Sequence, residues 1–146
     1  MPIGLFLTRT ARGVSRAFEA ALAGVGGSLA TWLVLASLKG GLHRSQRELA
    51  RDIGVEGPTL THHLNRMEAA GLVRRARNPA NRRVHDVELT PAGEALFLTM
   101  VSVVQEFDRR LREGLGEREL ATLRVLLQRL GDNAAASAMS QKGAHT

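Results

Sequence analysis

The chain has 146 residues, 44% of them hydrophobic, which suits one packed domain or a small subunit rather than a disordered chain. It has no cysteine, so disulfides, thiolate metal sites and thiol redox sensing are excluded. The net charge of +6 is unevenly placed: residues 44–83 hold nine arginines against four acids, and residues 84–146 hold seven bases against nine acids.

Residues 3–24 read as a helix with Ile3, Phe6, Thr10, Val14, Ala17 and Ala21 near one side. Arg9, Arg12 and Arg16 interrupt its apolar run, which is unlike a signal peptide. The glycines between Gly24 and Gly27 break it. Ser28 can cap the next helix, striped by Leu29, Trp32, Leu33, Leu35, Ala36 and Leu38, and Gly40-Gly41 ends that one. Trp32 reads first as a core residue, because aromatic side chains bury large areas.

Ser45-Gln46-Arg47-Glu48 is a capping box, and Leu49, Ala50 and Ile53 give the short helix behind it a buried face. Gly54 stands where a left-handed terminator is wanted. Pro58 is expected at the first position of the following helix, where its missing N–H is harmless. Leu60, Leu64 and Met67, spaced four and three apart, bury together, and Gly71 stops the helix. Leu72–Arg77 and Val84–Leu89 read as two strands joined by the turn residues Asn78-Pro79-Ala80-Asn81. Thr90-Pro91 opens a long helix to about Leu111, striped by Leu96, Met100, Val103, Val104, Phe107 and Leu111. A last helix carries Leu120, Leu123, Leu127 and Leu130, and the Ala/Ser-rich tail from about Asn133 is expected to fray.

The order helix, turn, helix, arginine-rich hairpin is that of a unit that grips duplex DNA. A helix fits the major groove, where base edges carry a distinct donor and acceptor pattern. On the helix from Pro58, Thr59 and Thr61 can meet phosphates or a thymine methyl. His62 can meet a phosphate or a base, Asn65 can pair with adenine, and Arg66 can reach guanine or phosphate. Ser45 and Gln46 sit at a helix N-terminus that suits a backbone phosphate. Arg82 and Arg83 lie at the hairpin tip, where an arginine can enter a narrow minor groove, and Arg74, Arg75 and Arg77 line the approach. The expected DNA-contacting set is Ser45, Gln46, Pro58, Thr59, Thr61, His62, Asn65, Arg66, Arg74, Arg77, Asn81, Arg82 and Arg83. The terminal helices are more apolar than a small winged domain needs, so a two-fold dimer built from them is expected.

The residues Gln46–Ala50, Val55–His62, Leu64–Met67, Gly71–Arg74, the wing segment Asn78–Arg83 and Val87–Thr90 resemble those of the MarR-type (multiple antibiotic resistance regulator) winged helix-turn-helix repressors. The resemblance covers nearly the whole chain. It implies a mainly α fold with a small β-wing, a winged helix-turn-helix flanked by N- and C-terminal dimerisation helices. Residues 1–38 and 112–146 would dimerise. Residues 39–111 would bind DNA and include the long connecting helix from 91. It also implies a homodimer on a pseudo-palindromic operator, read by the helix from Pro58 to about Ala70 with the wing in the minor groove. The family's wing usually has an aspartate bracing an arginine where this chain has Asn81, and many members have arginine where it has His62. A histidine there could make binding modestly pH-dependent. Many members release DNA when a small, often aromatic and anionic, ligand enters a cleft beside the dimer helices. Arg9, Arg12, Arg16, Trp32 and His43 are the candidates for such a cleft.

The leading expectation is therefore a sequence-specific repressor, with a counter-silencing or activating DNA binder as the alternative. A winged helix used only for protein contacts fits the arginine surplus poorly. His43, His62, His63 and His85 invite a metal. Adjacent His62 and His63 point about 100° apart on a helix, and no H-x-x-x-H is present. No metal or other cofactor is expected, and no nucleophile elbow, P-loop or dinucleotide-binding glycine pattern supports an enzyme. No run of about 18 apolar residues predicts a membrane span, so a cytoplasmic protein is expected.

Overall fold

The computed structural model describes residues 1–41, 44–81, 83 and 85–143. Among these run α1 (Ile3–Ala23), α2 (Leu29–Lys39), β1 (Arg44–Ser45), α3 (Gln46–Ile53), α4 (Gly57–Ala69), β2 (Val73–Arg77), β3 (His85–Leu89), α5 (Pro91–Leu111) and α6 (Glu117–Gly143). The chain forms two compact units, Met1–Phe107 and Asp108–Thr146. No helix among the described residues is long and apolar enough to cross a membrane.

In the first unit, α2 is the central element. Ser28 Oγ accepts the Thr31 N–H at 3.1 Å and starts it. Val34, Leu35 and Leu38 are fully buried, and α2 packs on α1, α3, α4 and β3. Val34 lies outside the stripe expected from sequence. A helix apolar nearly all round is covered on several sides, so a single stripe understates its burial.

The helix-turn-helix follows local rules. Ser45 Oγ accepts the Glu48 N–H at 3.2 Å, and Gly54 takes the left-handed conformation (φ +70°) that ends α3. Helix α4 starts at Gly57, one residue before the expected start, so Pro58 holds its second position. The cost is nil, because the first turn's N–H groups have no helical acceptor anyway. Leu49 of α3 and Leu60, Leu64 and Met67 of α4 join the same core. Each such side chain contributes roughly 1.5–3 kcal/mol relative to exposure.

The wing is a three-stranded antiparallel sheet in the order β1-β3-β2. Val73 pairs with Leu89, Arg75 with Val87 and Arg77 with His85, while Ser45 of β1 pairs with Asp86. Strand β1 was not expected; two residues are too few to show a period of two. Leu72 precedes β2 instead of opening it, and Val84 lies outside the described residues, as do His43 and Arg82. Val73 and Val87 seal the sheet's inner face.

The start of α5 is pinned to the start of the wing. Thr90 Oγ1 accepts the Gly93 N–H at 3.0 Å and donates to the Gly71 carbonyl at 2.5 Å, while the Thr90 N–H reaches the Leu72 carbonyl at 3.1 Å. Gly93 is needed for this approach: a Cβ there would stand 2.0 Å from the Leu72 oxygen. Farther along, Met100 is buried, Phe97 stacks on Trp32 at 5.4 Å, and Phe107 meets Phe18 at 5.0 Å.

In the second unit, Arg112 reaches Asp108 at 3.5 Å and Glu117 at 2.7 Å, bracing the turn into α6. Leu120 is buried, but Leu123 and Leu127 of the same stripe remain 44% and 40% exposed. The tail expected to fray from Asn133 is instead helical to Gly143. Its alanines are the strongest helix formers, and they outweigh the serines.

Candidate nucleic-acid interface

The period of α4 sorts its residues cleanly. Leu60, Leu64 and Met67 face the core, while Pro58, Thr59, Thr61, His62, Asn65 and Arg66 are all exposed. The exposed stretch from Pro58 to Arg66 is about 12 Å long at 1.5 Å per residue, comparable to the width of a B-DNA major groove.

Several of these groups are already committed within the protein. Thr61 Oγ1 donates to the Gly57 carbonyl at 3.1 Å and accepts from Gln46 Nε2 at 3.3 Å. That link ties α3 to α4 and leaves the Thr61 methyl as its main offering to a partner. The Ser45 hydroxyl is occupied as the α3 cap.

The hairpin loop is shaped by two asparagines. Asn78 Oδ1 accepts the Ala80 N–H at 2.8 Å, and its Nδ2 donates to the Asp86 carboxylate at 3.1 Å. Asn81 Oδ1 accepts the Arg83 N–H at 3.1 Å, which is the local turn its short side chain favours. Asn81 therefore braces the backbone of residue 83, and the Arg83 side chain stands exposed. Arg77 is exposed as well. The Arg74 side chain is 71% exposed, at 3.7 Å from Glu88. Arg82 lies outside the described residues.

Arg75 behaves differently from its neighbours, and the expectation that it lines the approach to the wing tip is corrected. Its side chain is only 18% exposed. Its backbone N–H donates to Glu68 Oε2 at 2.9 Å, and its Nη2 donates to Glu68 Oε1 at 3.1 Å and to Asn65 Oδ1 at 2.6 Å. One residue thus fastens α4 to β2. The side-chain and backbone hydrogen bonds from Arg75 hold the Glu68 carboxyl below its usual range. The available signal was alternation: Arg75 shares a strand face with buried Val73.

A groove of about 680 Å³ runs between the start of α3 and the wing, and it brings Arg83 together with Ser45, Gln46, Arg47 and Arg51. Its walls also carry His85, Glu48 and Asp86. The cations outnumber the acids, so a phosphate backbone fits it electrostatically. Behind α4, a cleft of about 230 Å³ is lined by residues that include Ser28, Thr31, His63, Arg66, Met67 and Leu72.

The other sequence candidates are dispersed. Arg9, Arg12 and Arg16 are exposed along α1, Trp32 is half-buried against Phe97 and the core, and His43 lies outside the described residues. His62 and His63 have ring centres 6.0 Å apart, and no group of three or more potential metal ligands occurs among the described residues.

The profile of the MarR family matches residues 24–84, which contain α2, the helix-turn-helix and the wing hairpin's outer half. The structure is similar to CouR, a transcriptional repressor bound to a 23-mer DNA duplex. The identity is 30%, the TM-score 0.82, and the match covers 89% of this chain and 92% of that one. It is similar, at 27% identity and a TM-score of 0.82, to a mutant of Escherichia coli MarR complexed with operator DNA, with 89% and 94% covered. Bordetella bronchiseptica BpsR, whose DNA binding is regulated by 6-hydroxynicotinic acid, is 24% identical with a TM-score of 0.79. That match covers 88% of this chain and 98% of BpsR, and it is a likeness of fold.

Proposed function

The chain belongs to the MarR family, whose members are DNA-binding transcriptional regulators and not enzymes, and from that premise we propose that it acts as a homodimeric repressor of a pseudo-palindromic operator. The observation that carries this reading is the shared outer surface of α4 and the groove beside it. All six expected contact residues of α4 are exposed, and Arg83 of the wing shares a groove with Arg47 and Arg51 of α3. In this reading α4 enters the major groove, with Thr59, Thr61, His62, Asn65 and Arg66 toward the bases and phosphates. Ser45, Gln46, Arg74 and Arg77 lie along the backbone, and the wing from Asn81 to Arg83 reaches the minor groove.

The second copy would cover apolar surface that folding leaves open. Ile3 and Phe6 of α1 are 61% and 55% exposed, and α6 exposes Leu123, Val125, Leu126 and Leu127. Residues 1–38 and 112–146 are assigned to that interface, and 39–111 to DNA. Light scattering should then give twice the chain mass.

A small anion is the effector chemistry the cleft behind α4 favours, because Arg66 stands on its wall, and the family's habit adds an aromatic ring. At about 230 Å³ it is below the usual range for drug-sized ligands, so only a compact molecule would fit. Arg66 would then be shared between effector and DNA. Arg9, Arg12, Arg16, Trp32 and His43 are the less favoured alternative.

The test is a gel shift with the DNA upstream of the protein's own gene. Tight binding to an inverted repeat, with half-sites about one helical turn apart, is expected. Equal affinity for scrambled duplex at moderate salt would reject sequence-specific regulation. A reporter in a deletion strain separates repression from counter-silencing, since expression rises in the first case and falls in the second.

A further inference from the structure

We propose that Arg75 is a positioning residue for base specificity: it holds the oxygen of the Asn65 side-chain amide so that Asn65 turns its N–H donors toward DNA. The inference rests on the reading that α4 enters the major groove.

A guanidinium carries donors and no acceptor, so the amide oxygen of Asn65 must face Arg75 and its Nδ2 must face away. The 2.6 Å contact from Nη2 to Oδ1 fixes that orientation. Arg75 is itself held from two sides by Glu68, at 2.9 Å through its backbone and 3.1 Å through its side chain. Asn65 is exposed, and no partner for its Nδ2 occurs among the described residues. Positions 61, 62 and 65 share a helix face, so the free amide nitrogen stands beside Thr61 and His62.

An unrestrained asparagine pairs with adenine because it supplies one acceptor and one donor to N6 and N7. With one lone pair of its oxygen taken by Arg75, Asn65 presents its two N–H donors and is a poorer acceptor for the adenine N6. Guanine, with O6 and N7 acceptors, is the best match; cytosine, which shows only its N4 donor in the major groove, is the worst. Asn65 therefore selects an acceptor-rich edge, and the departure from the adenine expected of an isolated asparagine comes from the wing strand.

The experiment selects duplexes from a randomised library with the full-length wild type, Arg75→Met and Asn65→Asp, and reads base frequencies by sequencing. The wild type should prefer guanine over adenine by about three- to tenfold at one position of each half-site. Arg75→Met should raise adenine relative to guanine at that same position and at no other. Asn65→Asp keeps an oxygen for Arg75 but removes the outward donors, so its guanine preference should vanish. Weaker binding by Arg75→Met with unchanged base ranking would show a merely structural role and overturn the proposal. Retained guanine preference in Asn65→Asp would overturn it independently, even if Arg75→Met fails to fold. A wild type that binds every duplex equally would remove the regulatory reading as well.

Discussion

Replacing Glu68 by glutamine keeps the side chain's shape and nearly its helix preference while removing its charge. The carboxylate accepts two bonds from Arg75, from the backbone N–H at 2.9 Å and from Nη2 at 3.1 Å. Glutamine has one oxygen, so one of those bonds is lost and the ion pair with Arg75 goes with it. A hydrogen bond to a charged group contributes roughly 1.5–3 kcal/mol when well shielded. Glu68 is 39% exposed, so water screens and partly replaces the bond, and about 1 kcal/mol is the expected loss at neutral pH. For a chain of this size that lowers Tm by about 3–5 °C. The pH dependence follows from the depressed carboxyl of Glu68. A carboxyl that is more acidic folded than unfolded stabilises fully above its unfolded pKa, and that stability is lost as pH falls through the folded value. Urea unfolding of wild type and Glu68→Gln should therefore show the widest gap near pH 7 and a closing gap below about pH 4. A gap of equal size at pH 3 and pH 7, or no gap at all, would refute the assignment of Arg75 as the clamp.

Other substitutions test separate parts of the structure. Gly93→Ala would drive a methyl to 2.0 Å from the Leu72 carbonyl oxygen, and the urea midpoint should fall by the equivalent of about 1–3 kcal/mol or more. Leu64→Ala removes a fully buried side chain from the base of α4 and should cost about 2–5 kcal/mol in the same assay. Thr90→Val loses the cap to the Gly93 N–H and the bond to the Gly71 carbonyl, with an expected loss of about 1–2 kcal/mol by thermal unfolding. Arg83→Ala should weaken operator binding and reduce the slope of log affinity against log salt by about one, measured by fluorescence anisotropy; an unchanged slope would place the wing off the DNA.

The helix-turn-helix was legible because its signals are local. Ser45, Gly54, Leu60, Leu64 and Met67 each act within one turn of the chain, and each stands where spacing and capping put it. The inward role of Arg75 was not read. Charge suggested a solvated arginine, whereas the alternation beginning at Val73 placed it on the covered face beside Glu68. Strand β1 depends on pairing with β3, some forty residues along the chain, and two residues carry no periodic signal of their own. The tail was expected to fray as a chain end, but its alanines favour helix and α6 runs on to Gly143. Asn81 stands where the family's aspartate braces an arginine, and here its oxygen accepts the Arg83 backbone N–H, a contact that composition cannot show.

Strand β2 is an edge strand of its sheet, and the amide of Arg75 points away from β3 to Glu68. Outermost strands with free amides recruit other extended chains, and copies of a protein can stick together through them. A carboxylate seated on that amide blocks such stitching at its middle position, while leaving the opposite face of the hairpin untouched. The same side chain that steadies α4 thereby helps to keep neighbouring copies from associating through their wings, and solutions of Glu68→Ala, which has no acceptor for that amide, should cloud at lower concentration than the parent.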